Sequence, residues 1–150
     1  MLRLFDLPAH PLLIHFPIVA IPTLSIVALF IAFRPSFRQR YGLATSLLGI
    51  VTTITTFLAA SSGQALSEEF GFTEEVIGDH QSLGETLRLF VLGLTVAVIA
   101  ITAVDRRSGE SERNPAALPL GIVTLGFAAL SMVWVIRTGH AGASSVWGGF

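Results

Sequence analysis

The chain has 150 residues, 52% hydrophobic and 13% charged, and a formal net charge of −1. Soluble domains carry about 25% charged residues, so this composition, with a mean hydropathy of +0.73, indicates a single membrane-embedded domain. All nine basic residues are arginine and cysteine is absent. This excludes a basic nucleic-acid face, disulfides, thiolate metal sites, iron–sulfur clusters and covalently attached haem, and leaves nitrogen or oxygen ligands for any cofactor.

After a tail of nine residues, in which Arg3 and Asp6 nearly cancel, a first helix is predicted over residues 11–33. Pro11 suits the first helical position, where its missing N–H costs nothing. Pro17 and Pro22 fall inside and should bend the helix, as membrane helices tolerate. The run can cross about 30 Å of hydrocarbon. It is too long for a signal-peptide core and lacks an Ala-x-Ala cleavage site, so it is expected to be retained. Arg34, Arg38 and Arg40 follow without an acid.

A second helix is predicted over 41–60. Its Ser46, Gly49, Thr52, Thr53, Thr55 and Thr56 form a small, hydroxyl-rich surface suited to close helix packing more than to ligand contact. Residues 61–81 are polar, with Glu68, Glu69, Glu74, Glu75 and Asp79 and no base. Phe70, Phe72, Val76 and Ile77 there suggest short amphipathic turns at the interface. A third helix is expected over 82–104, beginning with Glu85 and Arg88, and a fourth over 116–136. Between them lies a loop with Asp105, Arg106, Arg107 and Arg113. The fourth is followed by Arg137 and a Gly-rich segment holding His140. Trp134 and Trp147 suit an aromatic belt.

Four spans give an all-α, up-down-up-down integral membrane four-helix bundle. The connections after the first and third spans carry six of the nine arginines, and the one after the second carries none. The positive-inside rule puts the arginine-rich loops in the cytoplasm and both termini outside. All four histidines, His10, His15, His80 and His140, then fall in one outer layer.

Neutral imidazole is the commonest protein metal ligand and an axial ligand of haem iron. His15, roughly 7 Å deeper than His10 at the helical rise, is expected inside the bundle. In an up-down bundle the first and third helices are diagonal, so His15 and His80 could approach a central cofactor from opposite sides. Asp79 could orient His80 by accepting a ring N–H. His10 and His140 are alternative ligands, and Arg88 and Arg137 candidate partners of haem propionates. Plainer roles exist for each group. His10 can cap a helix, His140 can be solvated, Arg137 can snorkel to headgroups, and Arg88 can pair with Glu85.

The stretches His-Pro-Leu-Leu-Ile-His-Phe-Pro at 10–17, Asp-His with a following Gly at 79–84, and Gly-His-Ala-Gly-Ala-Ser at 139–144 resemble the motifs of a bacterial membrane-protein family called domain of unknown function 2231. The resemblance covers nearly the whole chain, with four helices in the same order and all four histidines on motif positions. Some members are fused or adjacent to cytochrome c or Rieske-type domains. The resemblance therefore implies a redox setting, with the partner here expected to be a separate subunit.

The reading that leads is a b-type haem protein passing electrons between a quinol or membrane partner and a periplasmic carrier. Second is a histidine site for copper, zinc or iron. Third is a cofactor-free accessory subunit of a larger membrane redox complex. Nothing supports an enzyme with its own turnover, since there is no Ser/His/Asp order, phosphate loop or His-Glu-x-x-His. A transporter is disfavoured because the charges cluster at one face and not at the midplane.

Overall fold

The computed structural model describes residues 3–4, 7–108 and 115–147. Arg113 lies outside the described residues. The helices are α1 (Ala9–Leu13), α2 (His15–Phe33), α3 (Pro35–Phe70), α4 (Glu74–Ser108) and α5 (Ala117–Trp147). Before them, β1 (Arg3–Leu4) and β2 (Leu7–Pro8) form a two-residue antiparallel pair. Among the described residues, four helical segments are long and apolar enough to cross a membrane: Ala9–Phe33, Pro35–Phe70, Ile77–Arg107 and Ala117–Trp147.

α1 and α2 form one rod with an irregularity at Ile14. The cause is Pro17, which has no N–H to give to the carbonyl of Leu13. At the other end Arg34 alone links α2 to α3. It is extended, with φ −118° and ψ 99°, as a residue before proline prefers, and Pro35 opens α3.

The helices run well past the predicted ends. α3 has 36 residues, about 54 Å at the helical rise, against a hydrocarbon core of about 30 Å. The polar segment 61–81 is therefore mostly helix, with α3 ending at Phe70 and α4 starting at Glu74. Gly71 makes the break, with φ 65°, and the Phe72 N–H closes on the Ser67 carbonyl at 3.1 Å. His80 accordingly sits inside α4 and His140 inside α5.

Consecutive helices pack side by side in opposite directions. At one end Arg38 bonds the carbonyl of Ile31 at 2.9 Å, and at the other His10 reaches Ala59. Gly42 lies against Thr102 and Gly49 against Thr95, while Gly93 faces Phe127 and Gly121 faces Ala32. The hydroxyls of Ser46, Thr52 and Thr56 bond carbonyls of their own helix. That leaves them polar yet satisfied and lets α4 approach closely. Thr53 and Thr95 add one bond across that contact, at 2.9 Å. The outer surface exposes Leu47, Ile54, Val96, Ile122 and Ile136, among many others, which suits contact with lipid.

Arg38, counted above as a loop arginine, is only 3% exposed. Besides bonding the end of α2, it pairs with Asp105 of α4 at 2.6 Å. This pins α2, α3 and α4 together at the arginine-rich end.

The structure also reveals an internal repeat. Adding seventy to positions on α1–α2 lands on α4: Ile21 on Val91, Leu24 on Leu94, Ser25 on Thr95, Ala28 on Val98 and Ile31 on Ile101, all buried. Adding seventy-nine to α3 lands on α5: Gly42 on Gly121, Thr45 on Thr124, Gly49 on Ala128 and Thr52 on Ser131, again buried. Contacts between the halves correspond too. Gly42 packs on Thr102, and its counterpart Gly121 on Ala32, the counterpart of Thr102. The bundle is two like helical hairpins, each starting from the same end.

Candidate functional site

The repeat builds the site. Its first helices place His10 and His80 at equivalent positions, with ring centres 6.4 Å apart and planes at 80°. His10 Nδ1 lies 2.9 Å from the carbonyl oxygen of Ala59 on α3, with the Ser62 hydroxyl at 3.2 Å. His80 Nδ1 lies 2.9 Å from the carbonyl oxygen of Thr138 on α5. A carbonyl only accepts, so each Nδ1 is the donor of its bond, and in a neutral ring with that tautomer Nε2 is the atom left to bind a metal. This arrangement, with one ring nitrogen anchored and the other left basic, is what a metal-ligating histidine needs.

One turn beyond each carbonyl stands a glycine. A Cβ on Gly63 would lie 2.8 Å from His10 Cε1, and one on Gly142 would lie 2.9 Å from His80 Cε1. Both distances are shorter than a Cβ contact allows, so any larger residue would shift the ring, and glycine lets each ring seat where it does against the neighbouring helix. Each hairpin thus contributes one histidine, one carbonyl and one glycine.

The four histidines occupy one end of the bundle, but they do not converge. His15 is exposed, so its expected place inside the bundle is corrected. Five residues after His10 it is turned well off that face at about 100° per residue, and His10 takes the inward position. The orienting role expected of Asp79 falls to Thr138, because Asp79 is the helical neighbour of His80 and points off its face, into solvent. Among the described residues no group of three or more His, Cys, Asp or Glu is placed to hold a metal ion.

His140 and Asp79 instead line an open cleft between α4 and α5, of about 700 Å³, together with Arg137, Ser82, Leu83 and Ile136. Arg137 lies over the Trp134 ring at 5.1 Å, and Arg88, half-buried on α4, lies over Phe57 at 5.5 Å. Sequence reading missed Gly63, Gly142 and the two carbonyl anchors. The signal that finds them is the repeat itself, above all Gly42 with Gly121 and Thr45 with Thr124.

A family model described as "Predicted membrane protein (DUF2231)" matches residues 6–149. No curated protein and no solved structure matches the chain.

Proposed function

The chain thus belongs to the DUF2231 family of predicted membrane proteins, and on that premise we propose that it is a b-type haem-binding electron-transfer protein of the bacterial cytoplasmic membrane, in which His10 and His80 would hold the haem. The four helices cross up-down-up-down, with the arginine-rich connections inside and both termini and the histidine layer outside, following the positive-inside rule.

The observation that carries this reading is the paired imidazoles. The ring centres of His10 and His80 lie 6.4 Å apart, so both rings are near enough for one group to be held between them. The donor set suits haem iron, being two imidazoles with Nδ1 anchored on backbone carbonyls and no competing thiolate. Haem iron there would supply a one-electron couple. The chain's own residues do the rest. Ala59 and Thr138 hold the tautomers, Gly63 and Gly142 seat the rings, and Arg88 offers a cation to a propionate near the same end. Electrons would come from a quinol or membrane partner and leave to a periplasmic carrier such as a cytochrome c or Rieske-type subunit.

The test is a visible spectrum of detergent-purified protein, oxidised and then dithionite-reduced, with a pyridine haemochrome assay. A Soret band that sharpens on reduction, with split α and β bands, is expected, and it should be lost in His10→Ala and in His80→Ala. A featureless spectrum from protein made with adequate haem overturns the reading. Elemental analysis then separates a copper, zinc or iron site from a cofactor-free accessory subunit.

A further inference from the structure

The internal repeat supplies a comparison: residues that both halves carry are explained by the shared framework, and residues that only one half carries need a reason of their own, as the Arg38–Asp105 clamp has in joining three helices. The cleft between α4 and α5 needs such a reason too. Its Asp79, Ser82, Arg137 and His140 fall opposite Ala9, Leu12, Leu58 and Ser61 in the first half. A carboxylate, a guanidinium and an imidazole stand where the first half has two aliphatic side chains and a serine, while the His80 and Gly142 beside them keep their counterparts His10 and Gly63. Neither helix packing nor the membrane boundary explains the set, since the first hairpin meets the same boundary without it.

We propose that this cleft is a binding site for the head group of a quinol, reached from the lipid. The chemistry narrows the ligand. A bare anion would meet Asp79, and a bare cation would meet Arg137. A net-neutral ring with oxygens on opposite edges satisfies both. Its hydroxyls donate to the Asp79 carboxylate and the His140 imidazole, and in the oxidised form its carbonyls accept from Arg137 and Ser82. Leu83 and Ile136 supply the apolar wall for the ring, and Ile136 is exposed on the outer surface, which leaves an isoprenoid tail in the bilayer. The cleft also adjoins the paired imidazoles. Asp79 precedes His80, and His140 lies two residues before Gly142, against which the His80 ring sits. The assignment rests on the electron-transfer reading and deepens it by naming the membrane partner that docks there, but binding itself does not require the haem.

The test uses full-length protein with Trp147→Phe, in phosphatidylcholine nanodiscs. Excited at the red edge, where Tyr41 does not absorb, only Trp134 then fluoresces, since the chain has two tryptophans, and it lies beneath the cleft residue Arg137. Decylubiquinol, kept reduced under anaerobic conditions, is titrated in. Saturable quenching is expected, with apparent affinity about tenfold weaker in Asp79→Asn and in His140→Ala, the usual effect of losing one hydrogen bond to a charged or strongly polar group. Leu58→Gln and Ser61→Ala, at the matching positions of the first half, should leave it unchanged. Linear, unsaturable quenching that is equal in all variants means partition into the bilayer only and overturns the proposal. So does saturable quenching that phosphatidylethanolamine displaces, which assigns the cleft to a zwitterionic lipid head. Fluorescence reads this site and visible absorption reads the imidazole pair, so failure of one is distinguishable from failure of the other.

Discussion

The first hairpin, α1 to α3, and the second, α4 and α5, are the comparison that explains this molecule. They share buried core positions, small residues at the crossings, and a histidine anchored on a carbonyl beside a glycine. They differ at the cleft, where only the second is charged, and at the opposite end. There Arg38 and Asp105 form a buried pair whose counterparts, Ala117 and Pro35, carry no charge. What repeats is the framework and the imidazole pair. What does not repeat marks a specialised cleft and a clamp.

The comparison can be broken most severely at the shared site. If the halves contribute equally, His10→Ala and His80→Ala should abolish the reduced-minus-oxidised signal to the same extent. A full signal surviving in either variant would show that the symmetry does not extend to ligation. Next in size is the clamp, the largest feature without a counterpart. Asp105→Ala leaves the Arg38 charge buried and unpaired, and should lower stability in detergent by about 3–5 kcal/mol, read as the midpoint of thermal unfolding. The same change at Asp79, which is exposed, should shift that midpoint little.

The glycines come third. Gly63→Ala and Gly142→Ala each push a Cβ into a ring and should displace the imidazole, weakening retention of the chromophore by matching amounts. Unequal effects would show that the hairpins seat their rings differently. The smallest test concerns a flaw in the repeat. Thr95 has Thr53 as a hydroxyl partner, but its counterpart Ser25 is buried, and its hydroxyl has no hydrogen-bond partner among the described residues. The position matching Thr53 is Met132. Met132→Thr should supply the missing partner, with a coupling of about 0.6 kcal/mol in a double-mutant cycle with Ser25→Ala.

Much of this was legible beforehand. The four spans, the hydroxyl-lined packing surface of α3 and the gathering of all four histidines at one end follow from apolar run length and turn residues. The helix ends were not legible. Polar residues 61–81 read as interfacial turns, but helices that leave the bilayer together continue to support one another in water, and Gly71 alone stops them.

Membership of the membrane class, the number of spans and the candidate ligands were thus determined by the sequence alone, because hydrocarbon thickness sets helix length and charge is costly within it. Which histidines meet was decided by the tertiary structure. A soluble helix announces its buried face by a stripe of apolar residues, but a helix in lipid is apolar all round. Apolarity therefore does not choose His10 over His15; the repeat does, setting His10 opposite His80 and His15 opposite Glu85, and it becomes plain only once the helices are packed. That choice came from the packing of two like hairpins, which turned His10 and His80 toward each other and left His15 and His140 exposed.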